Sequence, residues 1–180
     1  MSEIPWVKPE IKLIKPACIG IGGVSRSGKT FLSNHLNTAI LDSLVIHQDT
    51  FIPDEKDIPR INDHIDWERP EAIDWVSFRQ AIDSGIKSGK TVIVEGLFAF
   101  HNKEINTFYN KTIFITLGRD EFIRRKRADL RWGREPEWYI SHIWDGYLIY
   151  GQIPADIANP LLMDGARDFN LSDVIAYLQS

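Results

Sequence analysis

The sequence has 180 residues, of which 43% are hydrophobic and 26% charged, and this composition allows one folded core and excludes a disordered chain. The formal net charge of −4 gives no basic surface for a nucleic acid or an anionic membrane, so a small-molecule ligand fits better. The single cysteine, Cys18, excludes a disulfide within the chain, and without a signal peptide or a membrane-length apolar run we expect a cytoplasmic location.

The order of the predicted elements indicates the fold class. Residues 1–15 are expected to form an arm that packs through Trp6 or Ile11, in front of one domain that spans residues 16–180. Apolar runs rich in β-branched residues predict five strands, at 17–22, 44–47, 91–95, 112–117 and 161–163. The intervening segments predict helices at 29–38, 70–88, 120–131, 136–150 and 171–178. Strands that alternate with helices indicate an α/β protein with a doubly wound, parallel five-stranded sheet.

A glycine-rich segment joins the first strand to the first helix. It reads Gly23-Val24-Ser25-Arg26-Ser27-Gly28-Lys29-Thr30, which matches the phosphate-binding pattern G-x-x-x-x-G-K-[ST] between a strand and a helix. In such a loop the backbone N–H groups face phosphate oxygens, the lysine reaches the β- and γ-phosphates, and the hydroxyl that follows binds Mg²⁺. The segment therefore predicts a P-loop NTPase fold with an ATP and Mg²⁺ site, in which Lys29 is catalytic and Thr30 is a metal ligand. A glycine-rich turn with a purely structural role is the alternative.

Two carboxylates stand at the ends of the second and third predicted strands. Asp49 follows the second strand, and Glu95 is the last residue of the third. Ligands of doubly wound sheets bind beyond the carboxyl ends of the strands, and a Mg²⁺–phosphate site offsets the cost of burying a carboxylate there. We predict that Asp49 accepts the proton of the substrate hydroxyl and contacts the metal, and that Glu95 holds Mg²⁺ through water. Helix capping or a surface ion pair is the alternative for both.

The segment 122–134 concentrates arginines and a lysine in an otherwise acidic chain. On the predicted helix, Arg124, Arg127 and Arg131 share one face at i, i+3 and i+7, so they are predicted to converge on a polyphosphate while Arg125 points elsewhere. Arginine suits this role because its planar fork binds phosphate through two hydrogen bonds. The alternative is a solvated basic face.

A helical lid is predicted next to these arginines. Gly133 and Pro136 bracket the segment, which is expected to move and to close over ATP. Closure would exclude water, so that the phosphoryl group goes to the substrate rather than to solvent. The five histidines show no metal-ligand spacing and receive no functional role. Five further aromatic residues are assigned to packing, namely Trp75, Phe78, Trp138, Trp144 and Tyr147.

Over residues 19–166 the sequence resembles the nicotinamide riboside kinase and uridine kinase branch of the P-loop kinases. Besides the glycine-rich loop, the resemblance rests on Q-D-T-F at 48–51, D-W-E-R-P-E-A-I-D at 66–74 and V-E-G-L-F-A-F at 94–100. These are similar to the family's Q-D-x-F, aromatic–Asp–x–Pro–x–Ala–x–Asp and E-G-x-x-x-F elements. The resemblance implies an ATP-dependent kinase that phosphorylates the ribose 5′-hydroxyl of a nucleoside, which is a phosphotransferase with an alcohol group as acceptor.

The resemblance also implies the residues of the acceptor site. Trp67 would lie by the base, and Glu68, which stands where the family has Asp, would bind the ribose 2′- and 3′-hydroxyls. Asp66 is close enough to compete with Glu68 for the ribose, and both assignments stay open. The full set around the acceptor is Asp49, Thr50, Phe51, Trp67, Glu68 and Arg125.

The nucleotide site follows from the glycine-rich loop, the basic segment and the resemblance together. The family pattern gives Arg124 to ATP and Arg125 to the substrate side, where we count Arg125 as catalytic. Residues 163–166 are similar to the family's loop that lines the adenine through backbone groups, although Asp-Gly is also a common turn. The full ATP-binding set is Gly23, Val24, Ser25, Arg26, Ser27, Gly28, Lys29, Thr30, Arg124, Arg127, Arg131, Asp164, Gly165 and Ala166.

Two other functions share the phosphate loop. A regulatory ATPase or GTPase would couple hydrolysis to a partner, although neither 102–105 nor 110–113 completes the N-K-x-D pattern of a guanine site. A kinase for another metabolite, such as a sugar acid or a pantothenate-like alcohol, would use the same ATP site. Trp67 with two nearby carboxylates favours a diol beside a ring.

Overall fold

The computed structural model describes residues 11–13, 15–131 and 133–180. The strands are β1 (Cys18–Gly23), β2 (Ser43–His47), β3 (Arg60–Ile61), β4 (His64–Ile65), β5 (Thr91–Gly96), β6 (Lys111–Thr116) and β7 (Leu161–Asp164). The helices are α1 (Lys29–Ala39), α2 (Trp75–Lys87), α3 (Lys103–Asn106), α4 (Arg119–Arg127), α5 (Glu137–Tyr150) and α6 (Leu171–Gln179). Five strands form a parallel sheet in the order β2-β5-β1-β6-β7, and β3 pairs with β4 in an antiparallel hairpin.

The predicted α/β class and the parallel five-stranded sheet are confirmed. Every predicted strand of this sheet begins and ends within one residue of the observed strand. The central strands β1, β5 and β6 are covered on both faces, which explains why they are continuous apolar runs in the sequence. On one face α1 and α6 pack against Ile19 and Ile21, and on the other α2 packs against Cys18 while α5 packs against Phe114. Burial raises the pKa of the Cys18 thiol to about 12, so this cysteine is an inert core residue.

Two predicted helices were wrong in their extent. The helix predicted at 70–88 begins only at Trp75, because the Asp74 side chain accepts a 3.0 Å hydrogen bond from the Ser77 N–H and caps the helix there. Pro70–Ala72 forms a separate 3₁₀ turn. The helix predicted at 120–131 ends at Arg127. The hairpin and α3 were not predicted, since two-residue strands and a four-residue helix are too short for a periodic pattern.

The arm contacts the domain at Ile11. The Ile11 N–H donates to the Ala39 carbonyl at 2.8 Å, and the Leu41 N–H donates to the Ile11 carbonyl at 3.0 Å. The second expected anchor, Trp6, lies outside the described residues. Over the part of the chain that the structure describes, no helix has the length and apolar character needed to cross a membrane.

Candidate active site

The glycine-rich loop turns sharply between β1 and α1. Gly28 has a positive φ of 107° at the start of α1, and a Cβ there would lie 2.9 Å from the Phe169 ring, so both the backbone and the packing require glycine. Behind the loop, the Lys29 ammonium donates a 2.9 Å hydrogen bond to the Val24 carbonyl. The Ser27 hydroxyl oxygen is buried and has no hydrogen-bond partner within the described chain. The loop therefore holds a buried lysine and an unsatisfied hydroxyl at the N-terminus of a helix.

The charge of Lys29 is balanced by three carboxylates. Burial lowers the pKa of Lys29, whereas the negative charges of Glu95, Asp49 and Glu68, in that order, raise it. Lys29 is 9% exposed. All three predicted site carboxylates are therefore near enough to act electrostatically on the lysine of the loop.

Thr30 and Glu95 meet at the carboxyl edge of the sheet. The Thr30 hydroxyl donates to Glu95 Oε1 at 3.1 Å, and Glu95 is 4% exposed. His47 Nδ1 lies 2.7 Å from the same oxygen, because β2 pairs with β5 in a register that sets His47 beside Glu95. The two predicted metal ligands Thr30 and Glu95 are thus adjacent, and the neighbouring strand adds His47, to which the sequence assigns no metal-ligand spacing.

Asp49 is carried by a one-turn 3₁₀ helix, Gln48–Thr50, directly after β2. Gln48 anchors this turn, since its side-chain oxygen accepts a 2.8 Å hydrogen bond from the Phe98 N–H. A Cβ on Gly96 would lie 2.5 Å from the Gln48 Cβ, so glycine at position 96 makes room for the anchor. Asp49 and Thr50 are exposed and Phe51 is half-buried, which leaves the Asp49 carboxylate open to a ligand.

Two of the predicted acceptor residues, Trp67 and Glu68, line separate clefts beside the β3–β4 hairpin. Trp67, which is 42% exposed, lines a cleft of about 460 Å³ together with His64 and Tyr139. Glu68 lines a second cleft of about 220 Å³ together with Asp66 and His142. Asp66 and Glu68 are both less exposed than the tryptophan between them.

Glu68 is the most perturbed carboxylate of the site. Burial raises its pKa from the ordinary value of 4.5 to about 7. Among the nearby charges, Lys126 and Lys29 lower the pKa, whereas Glu135 and Asp66 raise it further. Lys126 itself forms a 2.9 Å ion pair with Glu135. Glu68 thus sits in a cluster where carboxylates outnumber ammonium groups, and it titrates near neutral pH.

Arg125, which is predicted on the substrate side, lies against the glycine-rich loop. Its guanidinium donates to the Arg26 carbonyl at 3.1 Å and to the Gly165 carbonyl at 2.8 Å, and it also pairs with Glu121 at 2.6 Å. It therefore ties the glycine-rich loop to the loop after β7. The substrate-side role of Arg125 stays a prediction.

The convergence predicted for Arg124, Arg127 and Arg131 is not observed, because α4 ends at Arg127. Arg124 pairs with Glu121 at 2.6 Å and Arg127 with Glu137 at 2.7 Å, both on the surface. Arg131 lies beyond the helix, where it pairs with the buried Asp129 carboxylate at 2.8 Å; the loop residue Arg26 reaches the same carboxylate at 3.5 Å. The charge of Asp49 also raises the pKa of Arg131, after larger contributions from Asp129. Of these three arginines, Arg131 is the one that acts electrostatically on the site.

The loop after β7 lies directly against the glycine-rich loop. A Cβ on Gly165 would lie 2.6 Å from the Ser27 carbonyl oxygen. In this turn the Gly165 N–H donates to the Thr116 carbonyl at 2.8 Å and the Ala166 N–H donates to Asp164 Oδ1 at 2.9 Å, and the backbone contacts to adenine stay a prediction. The backbone N–H groups of Gly165 and Ala166 therefore already have hydrogen-bond partners within the chain.

Comparisons with known proteins place these features in a family context. Human nicotinamide riboside kinase 1 is 28% identical over 172 residues, which cover 86% of this chain and 86% of that protein. Uridine kinase from Deinococcus deserti is 28% identical over 198 residues, covering 91% of this chain and 95% of that protein. This chain is a relative of these nucleoside kinases. The predicted resemblance and the predicted class, a phosphotransferase with an alcohol acceptor, are confirmed.

Solved structures confirm the P-loop kinase fold. A sugar kinase from Janibacter aligns with a TM-score of 0.57 at 15% identity over 91% of this chain and 94% of its own. A possible uridine kinase from Bacillus stearothermophilus aligns with a TM-score of 0.52 at 20% identity over 86% of this chain and 91% of its own. No protein-family model matches the chain. At these identities the structural likeness establishes the fold alone.

Proposed function

We propose that this chain is an ATP-dependent kinase that transfers the γ-phosphoryl group to the ribose 5′-hydroxyl of a nucleoside. One observation carries the proposal: at the carboxyl edge of the sheet the Thr30 hydroxyl bonds to Glu95 at 3.1 Å, and the buried Lys29 of the adjoining loop is subject to the negative charges of Glu95 and Asp49. In a parallel α/β sheet this edge is where ligands bind. The names of the relatives, nicotinamide riboside kinase and uridine kinase, support a nucleoside as the acceptor.

The residues around the glycine-rich loop fit a triphosphate with its Mg²⁺. The unpartnered Ser27 hydroxyl and the N-terminus of α1 provide donors for phosphate oxygens. Thr30, Asp49 and Glu95 offer the oxygen ligands that Mg²⁺ prefers. Among the described residues, no group of three or more His, Cys, Asp or Glu side chains is placed to hold a metal alone, which suits a cation shared with phosphates. When bound, Mg²⁺ supplies charge neutralisation to the phosphates.

The transfer itself needs a proton acceptor and positive charge. Asp49 takes the proton of the acceptor hydroxyl, whose oxygen forms a bond to the γ-phosphorus while the bond from that phosphorus to the bridging oxygen of ADP breaks. Lys29 compensates the charge that shifts onto the leaving ADP. The exposed position of Asp49 gives the hydroxyl access, and the lid segment after α4 excludes water.

The acceptor site combines an acid and an aromatic ring. Glu68 binds the ribose diol and Trp67 lies by the base, so a nicotinamide riboside-like compound, uridine or cytidine fits the site. A cytoplasmic location is proposed as well, since ATP and small soluble acceptors are available there.

An ATP-consumption assay against a panel of nucleosides tests the proposal. We expect turnover with at least one nucleoside, and Asp49→Asn should lower kcat about 10²- to 10⁴-fold while ATP still binds. Asp54→Asn is the matched control, because Asp54 is exposed and only pairs with Lys56 at 3.1 Å. Hydrolysis of ATP without any acceptor would favour a regulatory ATPase instead, and turnover only with another alcohol would favour a different metabolite kinase. Near-normal turnover of Asp49→Asn would remove Asp49 as the base.

A further inference from the structure

One face of α5 docks the segment that carries the acceptor-site acid. Tyr139, His142 and Gly146 follow each other at i, i+3 and i+7, so they lie on the same side of the helix. The Tyr139 hydroxyl lies 3.3 Å from the Ile65 carbonyl and 3.4 Å from the Trp67 N–H. At the other end, a Cβ on Gly146 would lie 2.8 Å from the Glu68 carbonyl oxygen. Three successive turns of the helix thus contact residues 65–68.

The central contact joins a buried acid to a half-buried histidine. His142 Nε2 lies 2.7 Å from Asp66 Oδ1, and the Glu68 N–H donates to the same oxygen at 3.2 Å. Asp66 is only 3% exposed. Burying a carboxylate costs free energy unless its oxygens accept hydrogen bonds. The two partners of Asp66, the His142 ring and the Glu68 N–H, both hold the backbone next to Glu68. The Asp66 carboxylate is therefore engaged within the protein.

We propose that His142 is a positioning residue that acts through Asp66 to fix the backbone of Glu68, and that Glu68 rather than Asp66 binds the acceptor. The inference rests on the proposed function, because it takes Glu68 as a ligand of the acceptor. Since α5 begins directly after the lid segment, the same helix joins the lid to the acceptor site. Loss of the His142 bond would let residues 66–68 shift and would weaken acceptor binding without affecting the ATP site.

Steady-state kinetics with the nucleoside that wild-type protein turns over fastest test this role. His142→Ala should raise KM for that nucleoside about tenfold, with kcat and the KM for ATP within about threefold of wild type. His142→Gln should restore most of the affinity, because its side-chain amide nitrogen can donate from the position of Nε2. If His142 had only a structural role, His142→Ala and His142→Gln would both change the thermal stability, and the KM for the nucleoside would not rise relative to the KM for ATP. His35→Ala is the matched control, since His35 contacts a carbonyl of its own helix, Phe31 O at 2.8 Å.

A double-mutant cycle separates action through Asp66 from direct contact with the acceptor. In an Asp66→Ala background, the further change His142→Ala should leave KM for the nucleoside unchanged within about twofold. Additive effects of the two changes would overturn the proposal, as would a wild-type KM in His142→Ala. If Asp66→Ala does not fold, the contrast between His142→Ala and His142→Gln decides alone. If wild-type protein phosphorylates no nucleoside, the proposed function fails and this inference fails with it; a normal KM in His142→Ala removes only the inference.

Discussion

Replacing Glu68 by Gln should stabilise the protein above neutral pH while it weakens acceptor binding. The folded structure raises the pKa of Glu68 from 4.5 to about 7, so the ionised form is disfavoured in the native state. In the unfolded chain the carboxyl loses its proton near pH 4.5, whereas in the folded chain it keeps the proton until about pH 7. Stability contributed by this group is therefore present below pH 4.5 and is lost as the pH rises toward 7.

The size of the effect follows from the shift. Each pKa unit corresponds to about 1.4 kcal/mol, so the shift of Glu68 gives an upper limit of about 3 kcal/mol. Because the residue is half-buried rather than fully enclosed, we expect about 2 kcal/mol after allowing for solvent screening. Glutamine has nearly the same shape but no charge, so it avoids this cost. For a chain of this length the change corresponds to a rise of roughly 4–8 °C in Tm at pH 8.

Denaturant unfolding of both proteins at pH 5 and pH 8 measures this quantity. The stability difference between Glu68→Gln and wild type should grow by about 2 kcal/mol from the lower to the higher pH. Glu71→Gln is the control from the same segment, because hydrogen bonds from its own backbone N–H and from Arg69 lower the pKa of Glu71. Its carboxyl is therefore largely ionised in both the folded and the unfolded chain from pH 5 upward, and the difference between Glu71→Gln and wild type should stay nearly the same at both pH values. A Glu68→Gln difference that is equal at both pH values would refute the reasoning.

Four further outcomes are expected. If the ionised Glu68 binds the ribose diol, KM for the nucleoside should fall about tenfold between pH 6 and pH 8 in wild type and stay flat in Glu68→Gln, as initial rates would show. Gly96→Ala should destabilise the fold by about 1–3 kcal/mol in denaturant titrations and lower kcat, because the new Cβ displaces the anchor of Asp49. Lys29→Met should reduce kcat at least about 100-fold in the ATP-consumption assay, and retained turnover would exclude a role of Lys29 in phosphoryl transfer. Arg125→Ala should raise KM for ATP about tenfold, more than Arg124→Ala does, since only Arg125 contacts Arg26 O.

The sequence by itself determined the sheet and the phosphate loop. Five apolar runs predicted the strands to within a residue. For β1, β5 and β6 the reason is that a strand covered on both faces must be continuously apolar, whereas the edge strand β7 leaves Leu162 62% exposed. The glycine-rich loop could also be predicted from the sequence, since its phosphate-binding pattern consists of eight consecutive residues. Asp49 and Glu95 could be paired with the loop because the carboxyl ends of parallel strands meet at one edge.

Only the tertiary structure decided which side chains support these residues. The partner of Asp66 is His142, 76 positions away, and the partner of Glu95 is His47, 48 positions away, so no local pattern marks either histidine. The arginine face was misread because periodicity alone does not show where a helix ends, and Arg131 lies beyond the end of α4. Sites formed by consecutive residues, such as the glycine-rich loop, can be recognised from the sequence. The pairing of polar side chains that are distant in sequence depends on strand register and helix packing, which only the folded chain determines.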